Sequence, residues 1–203
     1  MELNKKNNSV WKTLTVGQWQ MLQEVQDLDG WDLMRSVTAI VDGGYSKVDQ
    51  YSLPDLRKRY EEIVRQLNEE PFKPFKNFVK IKGKRYWINR FFEDISTAQF
   101  VEISEWTSDS DKINQNLHLI VASLMREITP FFTPKKYDGD KHLERSKLVK
   151  ESMLAVEALG LSAFFLGSWI LLLDDLPSYL SAENKKKMLD LIQEQDSPQS
   201  TNG

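Results

Sequence analysis

Two segments of the chain share one pattern of hydrophobic and polar positions. Residues 14–24 (LTVGQWQMLQE) and 95–105 (ISTAQFVEISE) each carry a hydroxyl residue after an aliphatic one, with Gln three positions further on. In a capping box, the hydroxyl accepts a hydrogen bond from the first helical turn and the Gln reaches back to the cap. An aromatic residue five positions after the aliphatic one has the spacing of a hydrophobic staple. The pattern therefore predicts helices that begin at Val16 and Thr97.

The repetition of this pattern has two explanations. One is an internal duplication with a shift of 81 residues, and the apolar spacing of residues 31–41 and 115–125 agrees with it. The other is that two unrelated helices begin by the same common rule. The pattern alone leaves both explanations open.

Local signals further along the chain predict a third helix, a hairpin and two loops. Ser52 has the character of an N-cap, a proline follows in the first turn, and the helix should continue to about Asn68. Residues 78–88 (FVKIKGKRYWI) are rich in strand-forming residues around a Lys-Gly pair, which predicts a β-hairpin. Glycines and prolines predict a turn over residues 41–46 and a connecting loop over residues 129–140.

The longest uncharged stretch, residues 158–173 (ALGLSAFFLGSWILLL), belongs to a helix predicted over residues 141–173. Sixteen helical residues rise about 24 Å, which is less than the roughly 30 Å hydrocarbon layer of a membrane. We therefore expect a helix buried in protein and no membrane span. Its bulky residues either fill the core of this chain or meet a partner, and the partner-facing candidates are Phe164, Phe165 and Trp169.

These elements together predict a mainly α fold of five to seven helices with one small β-hairpin. A last amphipathic helix is expected over residues 180–195. The expected organisation is an N-terminal helical part (1–70), a basic aromatic hairpin segment (71–93), a C-terminal helical part (94–195) and a flexible tail (196–203).

Composition narrows the chemistry that the chain can perform. The net charge of −3 creates no global field that would favour a polyanion. The absence of cysteine excludes disulfides, thiolate catalysis and cysteine-based zinc sites. The only histidines, His118 and His142, have no carboxylate at metal-site spacing, and no phosphate-binding or nucleophile motif occurs. We therefore expect a protein without a catalytic site, a cofactor or a metal.

One segment departs from the acidic average of the chain. Residues 71–92 contain no acidic side chain, and aromatic residues alternate there with seven cations, Lys73, Lys76, Lys80, Lys82, Lys84, Arg85 and Arg90. Cations bind phosphates and aromatic faces stack on unpaired bases, so this composition suits a nucleic-acid surface. A hairpin that packs its aromatic face on the helices and keeps its edge soluble with lysines is an alternative. A basic edge that recruits an acidic protein or accepts a strand is another.

Several motifs resemble those of a family of phage proteins. LTVGQW, KIKGKRYWI, DISTAQFVEI, NLHLIVASLM, YDGD and AFFLGSW, which together span most of residues 11–175, resemble small proteins from tailed-phage structural gene clusters. The resemblance implies a role in virion morphogenesis, with tail assembly chaperones as the nearest functional label. It implies no catalytic residues.

The function expected from the sequence is therefore non-enzymatic phage morphogenesis, as a tail assembly chaperone or a virion component. The expected partners are other phage structural proteins or a second copy of the chain, met in the host cytoplasm during assembly and either kept in the virion or released. The alternative is a nucleic-acid-binding accessory protein that uses residues 72–92. The candidate partner-binding residues are Phe164, Phe165, Trp169, Lys80, Lys82, Lys84, Arg85, Tyr86 and Trp87.

Overall fold

The computed structural model describes residues 9–69, 77–89, 95–109, 112–163 and 165–166. Contacts between residues group the chain into two compact units, residues 1–163 and residues 164–203. The described part of the first unit is mainly helical with a small antiparallel sheet, which confirms the predicted fold class.

The elements follow one another in a simple order. Within the described residues up to 152, four helices come first, then two strands, two helices, a third strand and a further helix. In chain order they are α1 (Val16–Glu24), α2 (Gly30–Asp42), α3 (Tyr45–Val48), α4 (Leu53–Asn68), β1 (Phe78–Ile81), β2 (Lys84–Ile88), α5 (Thr97–Thr107), α6 (Ile113–Leu124), β3 (Met125–Glu127) and α7 (His142–Ser152). Short 3-10 turns lie at Val10–Lys12 and Gly139–Lys141, and residues 155–163 are helical.

Both predicted capping boxes are present, and both helices begin at the predicted residue. The Thr15 hydroxyl accepts a hydrogen bond from the Gln18 backbone at 3.2 Å, and the Thr15 backbone donates to Gln18 Oε1 at 3.0 Å. Ser96 and Gln99 repeat this arrangement at 3.3 Å and 3.2 Å. The boxes satisfy backbone N–H groups that the first turn of a helix leaves without intrahelical partners.

The two capping glutamines also tie their helices to the next long helix in the chain. Gln18 Nε2 donates to the Ile40 carbonyl near the end of α2 at 2.8 Å. Gln99 Nε2 donates to the Ser123 carbonyl near the end of α6 at 2.7 Å. The same residue type in the same helical position thus donates to a carbonyl near the end of the next long helix in both cases, although the acceptors Ile40 and Ser123 differ by 83 positions and not by 81. The geometry is compatible with an internal duplication, and both explanations of the repeated pattern stay open.

The hairpin predicted over residues 78–88 is confirmed and forms part of a three-stranded sheet. Lys82 and Gly83 occupy the turn with φ of 47° and 82°, the left-handed conformations of a two-residue type I′ hairpin. The strand β3 adds to the other side of β2, so that the strand order is β1-β2-β3. The strand β3 has three residues and follows α6 directly. It is too short to show the alternation of apolar and polar residues by which a strand is predicted.

The single helix predicted over residues 141–173 is wrong, because it is interrupted after Ser152. Leu154 forms an antiparallel bridge with Thr15, in which Val16 N donates to the Met153 carbonyl at 3.0 Å and Ala155 N donates to the Leu14 carbonyl at 2.8 Å. Residues 141–157 contain no glycine or proline, so no local signal marks the break. The interruption instead satisfies backbone groups at the start of α1, which a continuous helix would leave unpaired.

One core cluster lies where the N-terminal residues meet α2, α4 and the helical residues 155–163. Its buried members are Val10, Trp11, Leu14, Leu22, Val37, Ile40, Ile63, Ala155 and Val156. Gln66 in α4 fixes the entering chain, because its side chain accepts from Val10 N at 2.7 Å and its carbonyl accepts from the Trp11 indole at 2.9 Å. The chain therefore enters the core before its first long helix begins.

Several predicted features lie outside the described residues. These are the helix over residues 180–195, the flexible tail 196–203, and the part of the uncharged stretch beyond residue 166. Residues 158, 161, 162 and 165 of that stretch are buried, at 6% exposure or less. Within the described ranges, no helix has both the length and the apolar character needed to cross a membrane.

Replacement of Gly17 by Ala should destabilise the protein, although Ala normally favours helices. A Cβ at Gly17 would lie 2.9 Å from the Lys150 carbonyl oxygen in α7, which is backbone and cannot rotate away. We expect Gly17→Ala to reduce the free energy of unfolding by about 1–3 kcal/mol, as overpacking does elsewhere. Gly139→Ala is the control, since its new Cβ would meet nothing closer than 3.7 Å. Equal urea midpoints for both variants would contradict the close contact.

The two capping glutamines should differ in their contribution to stability. Gln99 is fully buried and also accepts a bond from Arg126 Nη2 at 3.0 Å, whereas Gln18 is half-buried. We expect Gln99→Ala to cost about 2–4 kcal/mol, because buried polar partners lose their bonds, and Gln18→Ala to cost about 1 kcal/mol. Urea unfolding of both variants measures the difference, and a larger loss for Gln18→Ala would refute this ranking.

Candidate functional site

The three-stranded sheet separates buried side chains from exposed ones. Val79, Ile81, Tyr86 and Ile88 lie on the inner face, each no more than 8% exposed. Phe78, Lys80, Arg85 and Trp87 occupy the alternate positions, which face outward. The alternation is that of a half-buried antiparallel sheet whose outer face remains available for contact.

Cross-strand pairs on this outer face combine an aromatic contact with a pair of like charges. Phe78 lies opposite Trp87, and their rings meet edge to face with centroids 4.9 Å apart. Lys80 lies opposite Arg85, and both are exposed. The aromatic pair stabilises the hairpin, whereas like charges directly opposite each other destabilise it by a fraction of a kcal/mol. Folding alone therefore does not account for the Lys80–Arg85 pair.

The loop after β3 extends this face with two further aromatic residues. Phe131 is 87% exposed and Phe132 is 67% exposed. Phe132 has φ of 61°, a conformation that costs a non-glycine residue energy, and bonds between Thr129 and Thr133 close the loop around it. The Arg85 guanidinium lies 5.8 Å from the centre of the Phe132 ring, which joins the loop to the sheet.

We call this region the basic aromatic surface. It consists of Phe78, Lys80, Lys82, Lys84, Arg85, Trp87, Phe131 and Phe132. Sequence reasoning identified the hairpin members but missed the two phenylalanines of the loop. The signal for them was present in TPFFTP, where a pair of large apolar residues stands in a segment too rich in proline to be core.

The structure separates the candidate residues into three groups. Lys80, Lys82, Lys84 and Arg85 are exposed and Trp87 is half-buried, so all five can reach a partner. Tyr86 lies on the inner face at 3% exposure and Phe165 is also 3% exposed, so neither side chain is open to a partner in the folded chain. Phe164 and Trp169 lie outside the described residues.

One cation of the surface, Lys82, lies beside an acidic side chain. Lys82 Nζ lies 3.5 Å from Glu151 Oε2, and both side chains are about half exposed to solvent. Exposed ion pairs of this kind contribute little and exchange readily. The Lys82 charge is therefore available to a more complementary acidic ligand.

A buried polar cluster surrounds His142, which the sequence did not single out. Its Nδ1 lies 3.3 Å from Glu102 Oε2, 3.1 Å from the Tyr137 hydroxyl and 3.5 Å from the Ser123 hydroxyl. The Tyr137 hydroxyl donates to Glu102, and Ser123 Oγ donates to the same carboxylate at 3.2 Å. Burial and then the bond to Glu102 raise the pKa of Tyr137 to about 12, while burial lowers the pKa of His142 against the opposing charge of Glu102.

The His142 cluster contains Ser, His and Glu but lacks the geometry of a catalytic triad. In a triad, the carboxylate and the serine contact opposite ring nitrogens of the histidine. Here Glu102 and Ser123 both contact Nδ1, and Nε2 is buried without a hydrogen-bond partner among the described residues. Ser123 is fully buried. The cluster therefore cross-links α5, α6 and α7, and it offers no serine to a substrate.

His118 is held by a neighbouring amide in α1. Its Nδ1 lies 3.0 Å from Gln20 Nε2, and the same Gln20 nitrogen donates to the Gln115 carbonyl at 2.6 Å. Burial, reinforced by the positive charge of Lys150, lowers the pKa of His118 to about 4. His118 is thus neutral at pH 7 and links α1 to α6.

A cavity of about 280 Å³ lies between the N-terminal turn and α2–α4. Arg59 and Asp42 line it, and the guanidinium binds both carboxylate oxygens, with Arg59 Nε at 3.0 Å from Asp42 Oδ2. Tyr51 donates to Asp42 as well. The pKa of Asp42 is lowered, because its bonds to Arg59 and Tyr51 outweigh the opposing effect of burial. Because these polar groups are hydrogen-bonded to one another, they do not mark the cavity as a ligand site.

Stability should fall on acidification because His118 must be neutral in the folded chain. Its pKa is lowered from 6.5 to about 4 on folding, so its contribution is present above pH 6.5 and is lost as the pH falls towards 4. We expect a loss of up to about 2 kcal/mol between pH 7 and pH 5. His118→Asn keeps an acceptor for Gln20 but cannot titrate, so urea unfolding of this variant should depend less on pH. An unchanged pH dependence would contradict the assignment.

In the described part of the chain, no group of three or more His, Asp or Glu side chains is placed to hold a metal ion. Comparison with known proteins finds no matching family model, no matching curated protein and no matching solved structure. Function must therefore be inferred from the residues of the chain and their geometry.

Proposed function

We propose that this protein is a non-enzymatic binding protein that holds an acidic partner protein on its basic aromatic surface. The observation that carries the proposal is the Lys80–Arg85 cross-strand pair, flanked by exposed aromatic rings. The two like charges weaken the hairpin by themselves, and an acidic side chain placed between them would reverse that effect.

The aromatic residues of the surface support a protein partner. Phe131 and Phe132 are the most exposed of the large apolar residues on this surface, and the closed loop holds them out. Exposed apolar groups that are clustered and surrounded by polar residues are typical of protein interaction sites, where buried aromatic anchors supply most of the affinity. The cations around them would then give orientation and attract the partner at long range.

A nucleic acid is the second candidate partner. Four cations, Lys80, Lys82, Lys84 and Arg85, are exposed within six residues, and phosphates bind such clusters. Aromatic stacking on bases requires open ring faces, however, and Phe78 packs edge to face against Trp87. Among the described aromatic residues of the surface, Phe131 and Phe132 are the most exposed, and Arg85 lies over the Phe132 ring, so the surface suits a protein better than a single strand.

The biological setting that we propose is phage morphogenesis, as the motif resemblance implies. As a tail assembly chaperone, the protein would hold an acidic region of a tail protein before assembly. As a virion component, it would contact a neighbouring subunit through the same surface. The products of neighbouring genes are the natural candidates for the partner.

Two labelled polyanions can decide between the classes of partner. Poly-L-glutamate represents an acidic polypeptide and oligo-dT represents a single strand, each measured by fluorescence anisotropy at 50 mM and 200 mM salt. We expect poly-L-glutamate to bind to the unaltered protein. The double variant Lys80→Glu/Arg85→Glu should lower this affinity at least about tenfold, because it reverses both charges. Phe131→Ser/Phe132→Ser should weaken it about threefold to fivefold.

The matched control is Arg57→Glu/Lys58→Glu, which reverses two exposed cations on α4 and changes the net charge equally. We expect this control variant to bind poly-L-glutamate with an affinity within about twofold of that of the unaltered protein. Its substitutions leave the local charges of the basic aromatic surface unchanged, and charges farther away are screened by salt. Tighter, steeply salt-dependent binding of oligo-dT would favour the nucleic-acid function. Equal effects of the two double variants would refute a specific surface.

A further inference from the structure

The strand β1 forms the edge of the sheet and has backbone groups that point away from it. Ile88 N donates to the Asn77 carbonyl at 2.9 Å, which identifies residues 77 and 88 as a hydrogen-bonded pair. Hydrogen-bonded and non-bonded pairs alternate along an antiparallel ladder. The pairs at Val79 and Ile81 are therefore bonded to β2, whereas the N–H and C=O groups of Phe78 and Lys80 face outward.

The opposite edge of the sheet is closed, which makes the open edge specific to β1. Lys135 N donates to the Glu127 carbonyl at 2.8 Å, and Ile128 forms a bridge with Pro134, so the loop after β3 covers that side. For β1, no described residue other than those of β2 pairs with the backbone of Phe78 or Lys80. Among the described strands, β1 thus provides the edge at which a further strand can join.

Charge decides what kind of strand can join. Open edges invite pairing between copies, and proteins discourage it with lysines and short strands. A second copy would bring its own Lys80, Lys82, Lys84 and Arg85 beside the same four cations, which is unfavourable. An acidic segment placed there would instead form attractive pairs.

We infer that the open edge of β1 accepts an extended acidic segment of a partner protein as a fourth strand. This inference rests on the proposed function and specifies how the partner binds. Bonds to the outward groups of Phe78 and Lys80 would hold the backbone of the segment. Its side chains would alternate, with acidic residues beside Lys80 on the outer face and β-branched residues beside Val79 and Ile81 at the buried face.

The first test uses the full chain and a labelled hexapeptide in which Glu alternates with Val. The peptide should bind, while the peptide with Lys in place of Glu should not. Hydrogen exchange followed by NMR then reports the edge directly, because the Phe78 and Lys80 amides should exchange at least about tenfold more slowly with the bound peptide. Unchanged exchange at both amides in the saturated complex would overturn the inference without any variant.

The second test separates the edge from the charge. Lys80→Pro removes the outward N–H without removing a bond to β2, and proline is tolerated at such edge positions. Lys80→Thr removes the same charge and keeps the N–H. We expect Lys80→Pro to lower the affinity for the hexapeptide at least about tenfold and Lys80→Thr to lower it about threefold. Only the proline variant loses the backbone hydrogen bond to the peptide.

The outcomes distinguish this inference from the proposed function. If Lys80→Pro and Lys80→Thr weaken binding equally, or if the slowed amides lie elsewhere, the strand-addition mode is wrong while an acidic partner on the surface remains supported. If neither poly-L-glutamate nor the hexapeptide binds, both proposals fail together. Retained exchange protection of Tyr86 and Ile88 in the Lys80→Pro variant verifies that its hairpin has folded.

Discussion

The backbone bridge between residues 14–16 and residues 153–155 is the constraint on which the helical fold depends. Two hydrogen bonds, at 3.0 and 2.8 Å, join the segment before α1 to the segment after α7. They place α1 so close to α7 that Gly17 lies directly against the Lys150 carbonyl. Because α1 also contacts α2 and α6, this bridge brings α1, α2, α6 and α7 into one packing arrangement.

Features determined by neighbours in sequence could be predicted, and features determined by distant contacts could not. Residues within a few positions of one another form the capping boxes at Thr15 and Ser96 and the hairpin turn at Gly83. The starts of α1 and α5 and the position of the turn were therefore predicted correctly. The interruption at Met153 depends on Val16, more than a hundred residues away, and its own residues favour a helix. The pairing of β3 with β2 is equally non-local.

The same distinction holds for the candidate site. The cations of the hairpin were identifiable from the sequence, because alternation assigns Lys80 and Arg85 to one face of a strand pair. The inward orientation of Tyr86 follows from that alternation too, once the register is known. The contact of Arg85 with Phe132 and the grouping of Glu102, Tyr137 and His142 required the fold, since their members come from separate elements.

The wide sequence separation of the bridge has a consequence for biosynthesis. Residues 14–16 are translated long before their hydrogen-bonding partners at residues 153–155. Domains fold as units during synthesis, and contacts of large sequence separation form slowly. The apolar residues that precede α1, including Trp11 and Leu14, therefore remain without their full cover on the nascent chain until residues 155 and 156 have been made. During that interval these side chains present to solvent an apolar surface that the folded protein buries.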